Sequence, residues 1–107
     1  MSLDFYLERV QPTTIFSRNI THNLTKMANA AGIYDCLWRP EENGFKDAGD
    51  IIEPLEKGLE RLRENPNHFR SFDASNGWGK YEHFVPFVEE ILKACRENPD
   101  AAIRVSV

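Results

Sequence analysis

The chain has 107 residues, of which 41% are apolar and 28% charged, with a net charge of −4. That length fits a single domain spanning 1–107, able to bury roughly two thirds of its unfolded surface and to form one core without staples. The composition excludes disorder as the default. No apolar run approaches the ~20 residues of a membrane-spanning helix, and acids interspersed with bases disfavour a binder of phosphate backbones, which carries a basic stripe.

The start, Met1-Ser2-Leu3-Asp4, lacks the basic head and apolar stretch of a secretory signal, so a cytoplasmic location is expected. Over residues 3–8, Leu3, Phe5 and Leu7 alternate with Asp4, Tyr6 and Glu8. That period of two predicts a half-buried strand. Val10-Gln11-Pro12-Thr13 supplies a turn, since Pro12 cannot donate a ladder bond. Thr14-Ile15-Phe16-Ser17 is β-branched and aromatic, which predicts a second strand and a hairpin. At the other end Ile103, Val105 and Val107 alternate with Arg104 and Ser106, a third strand. Neither end is long enough to be stable alone, so both are expected in one small sheet.

Three helical segments lie between. The first opens near Asn19–Thr21, either end of which can cap with a side-chain oxygen. Leu24, Met27, Ala28 and Ala31 share a face; beyond Gly32, Ile33, Tyr34, Leu37 and Trp38 form a rotated stripe. A break at Gly32 and a central helix buried on all sides both fit, and the pattern is read as a central helix. Arg39-Pro40 ends it. The second helix carries Ala48, Ile51, Ile52, Leu55, Leu59 and Leu62, with Asp50 and Glu53 at capping-box spacing and Pro54 blurring its start. The third carries Tyr81, Phe84, Val85, Val88, Ile91, Leu92 and Cys95. Both of these helices stop at Arg-Glu-Asn-Pro (63–66 and 96–99), but two copies do not make a solenoid. The fold class expected is α+β: three main helices packed with a small sheet formed by the N-terminal hairpin and the C-terminal strand.

Cys36 and Cys95 fall on apolar stripes and are expected as buried thiols rather than a disulfide. Glycine-rich phosphate loops, zinc spacings, nucleophile elbows and HExxH are absent from the sequence, so neither a cofactor nor a metal site is expected. Three polar clusters remain. In Asn19-Ile20-Thr21-His22-Asn23 a histidine could serve as acid, base or ligand; the plainer reading is a capping segment. In Trp38-Arg39-Pro40-Glu41-Glu42, Arg39 could grip a carboxylate and the two acids a cation; the plainer reading is a solvated loop with one ion pair. In Asn76-Gly77-Trp78-Gly79-Lys80-Tyr81-Glu82, two glycines give the backbone freedom to place a tryptophan at a pocket wall or interface, or as a lid on the core. His83 lies off its helix's apolar stripe and is expected in solvent.

The strings Asn19-Ile20-Thr21-His22-Asn23-Leu24, Met27-Ala28, Ala31-Gly32-Ile33-Tyr34, Leu37-Trp38-Arg39-Pro40-Glu41-Glu42 and Asn76-Gly77-Trp78-Gly79 together carry a resemblance. The chain resembles a family of small, uncharacterised proteins encoded by bacteriophages, prophages and bacteria. The resemblance implies a phage or prophage setting and a shared role for Thr21, His22, Asn23, Arg39, Glu41, Asn76 and Trp78; it carries no activity. Two functions follow as expectations. The first is a non-enzymatic accessory protein acting on a phage or host protein, with neither nucleic acid nor membrane as partner. The second is a small-ligand binder or small enzyme using His22 and Asn23 with Arg39 or Glu41, which requires His22 and Asn23 to meet the Trp78 loop in a concave site.

Overall fold

The computed structural model describes residues 2–9, 13–73 and 77–107. The turn expected at Val10–Pro12 lies outside the described residues. β1 (Ser2–Arg9) and β2 (Thr13–Thr21) pair antiparallel, and β3 (Ala102–Ser106) pairs antiparallel with the other side of β1, so the sheet order is β2-β1-β3. The alternation in β1 sorts as its period requires: Leu3, Phe5 and Leu7 are fully buried against the helices. The opposite face is polar. There Asn19 donates to Ser2 and Asp4 at 2.8 and 2.6 Å, and Arg104 pairs with Glu8 at 3.0 Å while lying 3.8 Å from the centre of the Tyr6 ring. The β1–β2 register slips between Leu7 and Glu8, which leaves Ile15 as a bulge.

β2 runs four residues beyond the Ser17 at which the sequence reading ended it. It therefore delivers Thr21 directly into a turn of 3₁₀ helix, His22–Leu24, and then α1 (Thr25–Ala30). The helical stretch starts later than expected because Asn19 and Thr21 remain paired, opposite Asp4 and Ser2. The expected central helix is broken at Gly32. Gly32 has φ +78°, Gly32 N–H bonds to the Asn29 carbonyl at 3.0 Å, and Ile33 N–H reaches the Ala28 carbonyl at 2.9 Å. These two bonds form a Schellman stop, for which glycine is the residue without a steric penalty. Arg61 adds a third ligand, its guanidinium donating to the Ala31 carbonyl at 2.8 Å. After the stop, α2 (Tyr34–Trp38) turns the second stripe inward, burying Cys36, Leu37 and Trp38.

α3 (Ala48–Glu64) and α5 (Tyr81–Glu97) are the long helices, with α4 (Pro66–Arg70) a short turn that the sequence reading did not contain. The N-cap of α3 is Asp47 rather than Asp50: the Asp50 carboxylate reaches back to the N–H groups of Lys46 and Asp47 at 3.0 and 3.1 Å. That carries the capping box one turn upstream and places Pro54 well inside the helix. The ion pairs Arg63–Glu89 at 2.7 Å and Arg96–Glu56 at 3.2 Å show that α3 and α5 run antiparallel. Both helices end with the same device. Asn65 and Asn98 each donate backbone and side-chain N–H groups to the carbonyl four residues back, Arg61 and Ala94 respectively. The repeated Arg-Glu-Asn-Pro string is thus a repeated stop signal.

The start of α3 is tied to β3. Ala48 N–H donates to the Ala101 carbonyl, Gly49 N–H to Pro99 and Ile103 N–H to Lys46, all within 2.8–2.9 Å. Residues 46–48 thereby cover the outer edge of β3 at its start, Ala102 and Ile103. Cys36 and Cys95 are buried free thiols, and burial pushes both up to about 12. Among the described residues, no helix is long and apolar enough to cross a membrane.

Candidate functional site

The C-terminal end of β2 delivers Asn19–Thr21 to one side of an open groove of about 970 Å³. His22, Asn23 and Leu24 continue that wall, while Gly77, Trp78, Gly79 and His83 form the facing one. The two walls are joined. The Asn23 side-chain amide donates to the Trp78 carbonyl at 2.8 Å, and Asn23 N–H is capped by the Thr21 hydroxyl at 3.3 Å. Gly79 makes the approach sterically feasible: a Cβ built there would stand 2.9 Å from Asn23 Cβ and 3.1 Å from Thr21 Cγ2, on a backbone with φ +102°. Asp73 anchors the far end of the loop by accepting from Tyr81 N–H at 2.7 Å, and the Tyr81 hydroxyl donates to the Leu62 carbonyl at 2.7 Å. So anchored, Trp78 stands 71% exposed at the groove.

His22 lines the groove with its ring backed by Trp38, centroids 6.4 Å apart and tilted by 60°. Among the described residues, His22 Nε2 and Trp38 Nε1 are buried without a hydrogen-bond partner. His83, on the first turn of α5, is exposed and contributes a second imidazole. Of the described residues lining the groove, none is Lys, Arg, Asp or Glu, in a chain where 28% of residues carry charge. The surface is therefore hydroxyl, amide, imidazole and indole over the apolar side chains of Ile20 and Leu24.

The structure thus brings together Thr21, His22, Asn23 and Trp78. Asn76 lies outside the described residues. Arg39 and Glu41 are not at the groove. Arg39 pairs with Glu42 at 3.5 Å, and its guanidinium is held charged by the Tyr34 side chain and then by Glu42. Glu41 opens a 3₁₀ turn closed by Phe45 N–H on the Pro40 carbonyl and by Asn43 on the Arg39 carbonyl. That loop is a self-contained turn, with Tyr34 and Trp38 stacked behind it at 5.6 Å. Sequence reasoning missed Ser2 and His83 as groove residues. His83 had one usable signal: it sits off the apolar stripe five residues after Trp78, where the loop must enter the helix. Among the described residues, no three His, Cys, Asp or Glu side chains are grouped to hold a metal ion.

Compared with protein families, with curated proteins and with solved structures, the chain gives no match.

Proposed function

We propose that the protein is a non-enzymatic accessory protein of the cytoplasm that works by binding another protein, of phage or host origin, through the Trp78 groove. The observation that carries this reading is Trp78: a tryptophan left 71% exposed on a loop pinned at both ends. Tryptophan is enriched among the few residues that carry most of the binding energy of an interface. The absence of Lys, Arg, Asp and Glu from its described lining residues adds to it, because the cores of interfaces are depleted in charge. The phage setting rests on the resemblance of the Thr-His-Asn-Leu and Asn-Gly-Trp-Gly strings.

The test is crosslinking in the expressing cell. A photoreactive phenylalanine analogue at position 78 is expected to capture one discrete protein, while the same analogue at exposed Glu64 captures none. Capture at both positions, or at neither, would overturn the reading.

One observation favours a second reading, a small-ligand site: His22 and Asn23 do meet the Trp78 loop in one concavity. Its Arg39 and Glu41 components have no support there, since both lie in the separate turn after α2. Saturable binding of a small metabolite, lost in His22→Ala with the fold intact, would favour it over a protein partner.

A further inference from the structure

The two edges of the sheet are treated differently. The outer edge of β3 is covered at its start, Ala102 and Ile103, by residues 46–48. Along β2, among the described residues, Phe16–Ile20 make backbone hydrogen bonds to no element other than β1. An open edge is a template for another strand unless it is blocked. Here a block stands in mid-strand: Arg18 donates to the Ser17 carbonyl at 2.7 Å and pairs with Glu90 of α5 at 2.7 Å. The Ile15 bulge bends the edge further back. Asn19–Thr21, beyond the block, line the groove itself.

Resting on the protein-binding reading above, we propose that this groove takes a short, extended, uncharged segment of the partner protein as a fourth strand. The segment pairs its backbone with the edge of β2 over Asn19–Thr21 and packs a side chain against Trp78. The run is three residues, roughly 10 Å of strand at ~3.3 Å per residue; Arg18 closes it at one end, and at the other the Thr21 carbonyl, as N-cap, opens the His22–Leu24 turn. Backbone pairing supplies affinity independent of sequence, while alternate side chains read the pocket. An uncharged segment follows from the lining: a Lys or Glu would leave water for a wall holding no opposite charge, which costs without return. A polyanion such as single-stranded RNA meets no Lys or Arg among the described lining residues to replace its counterions.

The test uses the intact chain and a display library of random linear peptides. The tightest binder is synthesised with a single N-methyl group at each position in turn. Strand pairing predicts an alternating pattern, methylation at every second residue weakening binding about tenfold and methylation between them leaving it unchanged. It also predicts slowed amide exchange at Asn19–Thr21 on binding, and no Lys, Arg, Asp or Glu in the paired stretch. A binder that loses affinity on Trp78→Ala but shows no alternation overturns this proposal and leaves the protein-binding reading standing. Charged residues throughout the paired stretch overturn it as well. So does a library that yields no binder, or only binders indifferent to Trp78→Ala; the crosslink at position 78 then decides the broader reading alone. Self-association of the chain that the peptide displaces would assign the edge to a second copy, and also overturns it.

Discussion

The side-chain amide of Asn23 donates to the carbonyl of Trp78 at 2.8 Å, across 55 residues of sequence. This one bond joins the end of β2 to the loop before α5 and keeps the groove's two walls in register. Asn23→Ala removes the donor, and a single exposed hydrogen bond of this kind contributes about 1 kcal/mol. Urea unfolding is expected to show that loss. Amide relaxation at Gly77–Gly79 is expected to show faster, larger motion, with α3 unchanged.

Gly77 and Gly79 separate conformation from packing. Both have positive φ, so alanine strains the backbone at either by roughly 1–2 kcal/mol. At Gly77 a Cβ meets nothing within 4 Å, whereas at Gly79 it meets Asn23 and Thr21. Gly79→Ala is expected to cost about 1–3 kcal/mol more than Gly77→Ala. Chemical denaturation of the two variants side by side checks the difference.

Gly58 of α3 faces a closer limit. Alanine is the better helix former by about 1 kcal/mol, but its Cβ would overlap Ile33 Cγ2 and stand 3.3 Å from the Ala31 carbonyl oxygen. Ile33 is fully buried and cannot swing away. Overpacking wins, and Gly58→Ala is expected to lower the melting temperature rather than raise it.

Burial pushes the Cys36 and Cys95 thiols up to about 12, against about 8.5 in an unfolded chain. The folded state therefore holds its thiol protons longer. Their contribution to stability is full below pH ~8.5 and falls as pH rises toward 12. Urea midpoints are expected to drop between pH 8 and pH 10, and a Cys36→Ala/Cys95→Ala variant to lose that part of the slope. At neutral pH both thiols should alkylate only as fast as the protein unfolds.

Asp50 gives the opposite sign. Backbone N–H groups of Asp47 and then Lys46 hold its carboxyl below the usual carboxylate range. That stabilisation is present above its unfolded value near ~3.9 and is lost as pH falls through the folded one. Asp50→Ala is expected to cost about 1 kcal/mol at pH 7 and less as pH falls to 3, by thermal unfolding at both.

The sheet was legible in the sequence because period-2 alternation in Leu3–Leu7 and Ile103–Val105 answers to one physical cause, a half-buried face. The long helices were legible for the same reason at period 3.6, down to the Asn-Pro stops. What composition could not show was where β2 gives way to helix. Asn19 and Thr21 have side chains suited to helix caps, yet their pairing with Asp4 and Ser2 extends the strand instead. Gly32 fitted either a kink or a crowded helix; the break is a Schellman stop at its positive φ, and Arg61 reaching the Ala31 carbonyl from α3 is a long-range support that no local pattern shows. The groove was half legible. Thr21, His22, Asn23 and Trp78 stood out as polar or aromatic residues at element ends. Arg39 and Glu41 stood out by the same criterion, and no local signal marks their turn as separate.

The central claim is that this molecule binds its partner at Trp78. The most direct measurement is the affinity of the protein captured at position 78 for wild type, Trp78→Ala and Arg39→Ala. Loss of a central tryptophan anchor costs about 2 kcal/mol or more, so Trp78→Ala is expected to weaken binding roughly thirtyfold, with Arg39→Ala indistinguishable from wild type. A folded Trp78→Ala variant that binds with full affinity, while Arg39→Ala does not, would contradict it.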